Sequence, residues 1–428
     1  MATLIHNLKQ IVQVTDGDDC FLRGQEMASP KILNCPQSSL CVLINDGGII
    51  EYVGPRDQMK VECPESGWNE VDGQGGAVLP GFVDAHSHPV FAGCRLHEFG
   101  MKLAGATYQE VQEAGGGILF TMKKTREASE GELRANFEHA ARRMLQSGTT
   151  TAEAKSGYGL DVETELKMLR VLDSIRQSVP LEISATFCGA HAIPPDSDEK
   201  TQTELICSVV VPRIAQEKAE GRLVSVENID VFCEKGNFST LSTKKILEAG
   251  QAIGLHANFH AEELSYQAGA EMGVAIRSRA ISHLEFISDA AIHGMASSGV
   301  VAVVLPSTAF ILRLEPPPVR HMINKDVIIA LGSDFNPNAH CTSMPLIMNL
   351  ACITMRMSME EALVAATLNS AHSIGRGSSH GAISVGRVAD LILTSCSDWR
   401  HLIYQFAAEN HLISLVFKKG KVVFSRNN

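Results

Sequence analysis

The chain has 428 residues, of which 45% are hydrophobic and 20% charged, a composition that excludes disorder and suits one large folded unit with a smaller companion. A formal net charge of −11, with no basic stretch to neutralise phosphates, excludes a nucleic-acid partner. Eleven cysteines lie scattered without a Cys-x-x-Cys pair, the pattern of reduced thiols in a cytosolic protein rather than of a disulfide framework.

The opening Met-Ala-Thr-Leu-Ile-His-Asn has no basic segment leading into an apolar one, so no secretory signal is expected. The first 78 residues lack helical periodicity and carry turn signals. Residues 41–53 read as two strands joined by a turn at Asp46-Gly47-Gly48, a hairpin signature. The far end looks alike: 389–393, 413–417 and 418–424 read as strands, with Gly420 at a turn. Neither end holds enough strands to bury a sheet face alone. The two ends are therefore expected to pair into one small β-sandwich domain, residues 1–78 plus 376–428, with residues 79–375 inserted between them.

Within that insertion, β-rich runs at 78–83, 149–154, 181–187, 223–232, 252–259, 279–286, 300–306 and 327–332 alternate with helical stretches. The helices are expected at 130–146, 162–178, 201–220, 240–250 and 289–297. This alternation, over roughly 300 residues, predicts a (β/α)8 barrel in the α/β class. An open doubly wound sheet is the rival, weakened because no Gly-x-Gly-x-x-Gly or phosphate loop follows the first run. The most apolar run, 300–305, is closed by Pro306 and is far too short to cross a bilayer.

Residues that carry chemistry sit where the runs end, the face on which barrel active sites lie. The first run leads into Asp84-Ala-His86-Ser-His88, and side chains two apart on a strand point to the same side. Two imidazoles thus face one point, and neutral imidazole is the commonest protein ligand for a zinc-like metal. The fifth run ends in Leu255-His-Ala-Asn-Phe-His-Ala-Glu-Glu, where His256 and His260 are both eligible. His260 lies nearer the strand's end and is followed by Glu263, which favours it; His256 is read as packing within or beside the barrel wall. The sixth run ends at His283 and the eighth at Asp334.

Leu79-Pro-Gly-Phe-Val-Asp-Ala-His-Ser-His, Ser333-Asp334 and the tail Gly381-Ala-Ile-Ser-Val-Gly-Arg-Val-Ala-Asp-Leu resemble the amidohydrolase superfamily of metal-dependent barrel hydrolases. Val90-Phe-Ala-Gly-Cys-Arg95, Gly115-Gly-Gly-Ile, Lys155-Ser-Gly-Tyr-Gly-Leu, Phe187-Cys-Gly-Ala-His191-Ala and Asp334-Phe-Asn-Pro narrow the resemblance to its branch that opens an imidazolone ring in histidine breakdown. The resemblance runs through nearly the whole chain. It implies one divalent ion, Zn2+ or Fe2+, held by His86, His88, His260 and Asp334, a mixture of ligands that suits either metal. It implies hydrolysis of 4-imidazolone-5-propanoate to N-formimino-L-glutamate by an activated water. Asp334 would accept the water's proton, His283 would stabilise the tetrahedral oxygen, and Glu263 would grip a ring N–H and protonate the departing nitrogen. Arg95 would bind the propionate carboxylate bidentately, with Tyr158, His191 and Asn336 closing around the substrate. A homodimer in the cytosol, with no membrane attachment, is expected on the same ground.

No lysine ends the fourth run, where binuclear relatives carry a carbamylated bridge, so a single metal is expected; Glu234 and Lys235 read as a solvated turn. The glycine run 115–117 lacks the Lys-Ser/Thr of a phosphate loop and reads as a lid or a close backbone approach. The chain departs from the family after Asp334-Phe-Asn-Pro, where Gly and a small hydroxyl residue usually stand and this chain has Asn338 and Ala339. Asn338 could keep a backbone contact to product, since Asn tolerates the left-handed conformation; a hydroxyl contact from position 339 is lost. Two rivals remain distinguishable. A cyclic amide or amidine hydrolase of purine, cytosine or hydantoin type would keep the metal residues but lack the Arg95, Tyr158 and His191 set. A metal-free scaffold would have lost ligand histidines.

Overall fold

In the computed structural model, which describes residues 2–36, 40–62, 65, 67–105, 110 and 114–426, the chain begins with β1 (Thr3–Leu8), β2 (Gln10–Val14), β3 (Lys31–Asn34), β4 (Leu40–Ile44), β5 (Ile50–Pro55), β6 (Asn69–Asp72) and β7 (Ala77–Pro80). Eight parallel strands follow: β8 (Phe82–Ser87), β9 (Thr149–Lys155), β10 (Glu182–Ala190), β11 (Val226–Cys233), β12 (His256–Ala261), β13 (Ala280–His283), β14 (Val301–Val304) and β15 (Ile329–Leu331). The chain ends with β16 (Leu391–Thr394), β17 (Ile413–Lys418) and β18 (Lys421–Ser425).

Strands β8 to β15 lie in sequential order in one sheet. The ring closes where Asp334 N–H donates to the His86 carbonyl and His88 N–H to the Phe335 carbonyl, each at 2.8 Å. Sequential order and closure make this a (β/α)8 barrel and rule out the open doubly wound sheet. Closure demands a close approach. A Cβ added to Gly332 would lie 2.7 Å from the His86 Cβ, so only glycine lets the last strand's exit pass the first.

The ends form two sheets. One is wholly N-terminal, in the order β5-β4-β1-β6; the other, β18-β17-β16-β7-β2-β3, interleaves the two termini. Ile5, Leu8, Val42 and Ile50 pack with Ile11, Val78, Leu391 and Phe417 in a single apolar cluster, so the two sheets face each other as a sandwich. The run 78–83, read as one strand, is in fact two. Up to Pro80 it pairs antiparallel with β16, and after Gly81 it enters the barrel. Apolar character continues across both halves because both are buried, which hides the change of sheet.

The helices sit where periodicity places them. Glu130–Gln146 is capped by Ser129, whose hydroxyl accepts from Glu132 N–H, and it buries Leu133, Phe137, Ala140, Ala141, Met144 and Leu145 at three- and four-residue spacing. The stretch read as one helix over 201–220 is Glu199–Leu205 and Val211–Ala219 with a π-turn, Ile206–Val210, between them. Pro212 has no N–H to return to the preceding turn and its ring crowds that turn, which widens the helix there.

A buried charge network fastens the sandwich to the amino-terminal end of the barrel. Lys418 Nζ lies 2.6 Å from Asp390, 3.0 Å from Glu182 and 3.2 Å from the Thr151 hydroxyl, and Arg376 holds both Glu182 and Glu227. Glu182, His380 and Asp390 come close enough together to hold an ion, but the Lys418 ammonium already provides their positive charge. Among the described residues no helix is long and apolar enough to cross a membrane, and ten cysteines are free.

Candidate active site

At the carboxyl end of the barrel, β8 presents His86 and His88 to one point and β12 presents His260 to the same point. The Nε2 atoms of His86 and His88 are 3.2 Å apart, as are those of His88 and His260. Asp334, past the end of β15 with φ of +46°, places Oδ1 3.6 Å from His86 Nε2 and 3.8 Å from His88 Nε2. The other rim of two of the rings is occupied where it can fix a proton. His86 Nδ1 lies 2.8 Å from the Ser282 hydroxyl and His260 Nδ1 2.9 Å from the Asp230 carboxylate. A proton held on His260 Nδ1 by Asp230 leaves a lone pair on Nε2. Burial, then the Lys155 ammonium and the neighbouring rings, holds His86 well below the usual imidazole range; burial, then His191 and His260, does the same for His88. Neutral imidazoles converging beside one carboxylate oxygen are the donor set of a divalent-metal site, so the residues fit the group.

Behind this point lies a network that the sequence reading missed. Lys155 Nζ, fully buried, is 2.7 Å from Asp230 Oδ2, 3.1 Å from Glu153 Oε2 and 3.3 Å from the Asn258 carbonyl. Burial lowers its hold on the proton; Asp230 and Glu153 more than reverse that, so it stays charged. Asp230 is likewise pushed up by burial but pulled well below the carboxylate range by His260 and Lys155. The available signal was the charges themselves: Glu153, Lys155 and Asp230 interrupt apolar β-runs, and a charge inside a buried strand must find a partner. Asp84 was also missed as a strut. It accepts from Ser333 N–H at 2.8 Å and from the Ser333 hydroxyl at 2.5 Å, tying the last strand's exit to the first; burial pushes its carboxyl up to about 7.

Two carboxyls flank His283. Glu263 Oε2 is 3.7 Å from His283 Nε2 and Glu285 Oε2 is 3.9 Å from His283 Nδ1. Burial, then the charges of Glu285, Asp334 and Glu234, pushes Glu263 well above the carboxylate range. Burial pushes Glu285 up to about 8, and neither of its oxygens has a hydrogen-bond partner. His283 and Leu284 both lie in the left-handed region, at φ of 79° and 74°, strain typical of a functional position.

A cavity of about 500 Å3 opens over this point. It is lined by His88, His260, Glu263, His283 and Asp334, and also by Arg95, Tyr158, His191 and Asn336. The expected site residues are therefore brought together, with His86 just behind. The His191 ring stacks on His88 with centroids 4.7 Å apart, and its Nδ1 is 3.0 Å from the Gly157 carbonyl. Gly157, at φ +117°, is required there, since a Cβ would lie 2.9 Å from His191 Nδ1.

Several expectations change in detail. Arg95 reaches the cavity, but its Nε and Nη2 already grip Glu98 at 2.7 and 2.5 Å. Asn336 spends its carboxamide on its own loop, donating to the Asp334 carbonyl and accepting from Asn338 and Ala339 N–H. That bond takes the Asn338 N–H expected for product, and Asn338 is not left-handed. His256 is exposed at the amino-terminal start of β12 instead of packing in the barrel wall. Glu234 is not solvated: it is buried and accepts from Leu264 N–H, Ser265 N–H and the Ser265 hydroxyl, shaping the loop that carries Glu263. Gly117, of the glycine run, makes a close backbone approach, donating its N–H to Glu98 at 2.8 Å.

The chain matches the family model described as Amidohydrolase family over residues 77–423. It is 47% identical over 426 residues to a probable imidazolonepropionase from Xenopus tropicalis, covering 99% of this chain and 98% of that one. It is 46% identical to a probable imidazolonepropionase from Homo sapiens, covering 98% of each. Among solved structures, it superposes on guanine deaminase from C. acetobutylicum with a TM-score of 0.72 at 15% identity, covering 99% of this chain and all of that one, a likeness of fold.

Proposed function

Because the chain belongs to the amidohydrolase family, we propose that it is a hydrolase of histidine degradation that opens the cyclic amide of 4-imidazolone-5-propanoate to give N-formimino-L-glutamate. One observation carries the reading: a single cavity joins a metal-type donor set, His86, His88, His260 and Asp334, to a carboxylate-seeking cation, Arg95. A ring amide with an acidic tail matches both. In this reading residues 79–375 are the catalytic barrel and residues 1–78 with 376–428 its composite support. The protein works as a cytosolic homodimer on a small molecule, without nucleic acid or membrane.

His86, His88, His260 and Asp334 would hold one Zn2+ or Fe2+ ion. Bound there, it supplies Lewis acidity, polarising the ring carbonyl and bringing a water's pKa toward about 7. The remaining work belongs to the chain's own side chains. Thr308 donates its hydroxyl hydrogen bond to Asp334 Oδ2, which leaves Oδ1 to accept a proton from the attacking water. His283, kept neutral by burial, donates from Nε2 to the oxygen that gains charge as the carbonyl carbon becomes tetrahedral. Burial and the neighbouring carboxylates favour the protonated form of Glu263, and it passes that proton to the ring nitrogen as the C–N bond breaks. The carbonyl carbon ends as a carboxylate. Tyr158, His191 and Asn336 enclose the ring.

The test follows the absorbance of imidazolone propionate, with and without a chelator, beside guanine and a hydantoin. Chelator-sensitive ring opening of the first alone is expected. Faster turnover of guanine or the hydantoin would overturn the substrate, and full activity in a metal-free sample would overturn the centre.

A further inference from the structure

We propose that Lys102 is a second cation for the substrate's carboxylate tail and that Asn338 is the positioning residue that aims it; this rests on the ring-opening reading above. Arg95 precedes the helix Leu96–Leu103, and Glu98 and Lys102 fall on one face of it at three- and four-residue spacing. Glu98 is 5% exposed and accepts from both cations: Arg95 through Nε and Nη2, and Lys102 Nζ at 2.6 Å. One carboxylate thus holds two cations, leaving a net positive charge on the cavity wall. Burial pushes the Glu98 carboxyl up, but the hydrogen bonds from Arg95, Lys102 and Gly117 N–H bring it down to about 2, so it remains an anionic strut.

The strut does not exhaust its partners. Among the described residues, Arg95 Nη1 has no partner and Lys102 Nζ uses two of its three N–H groups, on Glu98 and on the Asn338 carboxamide oxygen at 2.5 Å. Arg95, Lys102 and Asn338 line the same cavity as Tyr158 and His283. The spare donors and the surplus charge call for an anion, and the propionate tail is one. Asn338 matters through its side chain: a glycine at that position has no side-chain oxygen to hold the ammonium, and of these two partners Glu98 alone would remain.

The test compares imidazolone propionate with its propionamide analogue in wild type, Lys102→Met, Lys102→Arg and Asn338→Leu, together with calorimetric binding of glutarate. Lys102→Met is expected to raise KM for the acid about 10–100-fold, leave kcat within about threefold, and leave kcat/KM for the amide unchanged. Lys102→Arg should restore part of the preference, and glutarate should weaken in parallel. Asn338→Leu leaves Lys102 and Glu98 in place and should raise KM for the acid several-fold, which keeps the proposal testable where Lys102→Met does not fold. An unchanged acid-to-amide ratio in either variant, with unchanged glutarate binding, overturns the assignment. Wild-type protein that opens neither ring but loses glutarate on Lys102→Met would sink the ring-opening reading while sustaining the carboxylate seat.

Discussion

Replacing Asp230 with Asn tests the network behind the metal-type site. The substitution keeps the shape and removes one charge from a buried group that touches both His260 Nδ1 and Lys155 Nζ, at 2.9 and 2.7 Å. Lys155 is then left with Glu153 as its sole carboxylate, and an amide N–H faces an ammonium. Breaking a buried pair from one side costs about 3–5 kcal/mol. An unfolding entropy of about 2.1 cal/mol/K per residue, over 428 residues, converts this to a fall in Tm of roughly 3–6 °C for a cooperative transition. Loss of the orienting carboxylate should also weaken metal retention about 10–100-fold. Thermal unfolding and competition against a fluorescent chelator read the two effects, and Lys155→Met in the same background should add less than it costs alone. The acid side carries a sign. The Asp230 carboxyl lies well below its ordinary value in the folded state, so its stabilisation is present above the unfolded value near 3.9 and is lost as pH falls below it; the variant should lose less stability over that acid range. A variant that melts and resists chelator like the wild type would refute the coupling of Asp230 to His260.

Three further outcomes follow from the geometry. Gly332→Ala forces a Cβ to within 2.7 Å of the His86 Cβ; metal content after dialysis should drop, while circular dichroism keeps the barrel's helical signal. Glu263→Gln cannot pass on a proton and should lower kcat by about 10²–10⁴-fold, whereas a near-normal rate would remove Glu263 from protonation of the ring nitrogen. Glu285, raised to about 8 from 4.5, makes the fold lose stability as pH rises from about 4.5 to 8, because the unfolded chain ionises first. Glu285→Gln should flatten that slope, read from denaturant midpoints at pH 5 and pH 8, and an unchanged slope would place the loss elsewhere.

The barrel and the site were legible in the chain to different depths. Buried parallel strands are continuous apolar runs, which is why the eight runs and the imidazoles at their ends stood out. The same continuity concealed the division at Gly81, where burial persists while the sheet changes. Single-residue chemistry was readable at His86 and His88 because a period of two puts them on one side. What depended on tertiary partners was not readable. Glu234 looks like a turn residue until Leu264 and Ser265 are folded over it, and Arg95 looks free until Glu98 is seen one turn along. Asn338 was read as offering its backbone to product, whereas its N–H goes to Asn336 and its side chain reaches Lys102, 236 residues earlier in the chain.

The interleaved six-stranded sheet and the Lys418 cluster set an order on biosynthesis. Strand β7 waits for β16, and Glu182 and Asp390 wait for Lys418, 236 and 28 residues later in the chain. Until β17 has left the ribosome, the nascent barrel carries Glu182 beneath it without the Lys418 ammonium. Arrival of β17 thus closes the mixed sheet and the charge cluster together.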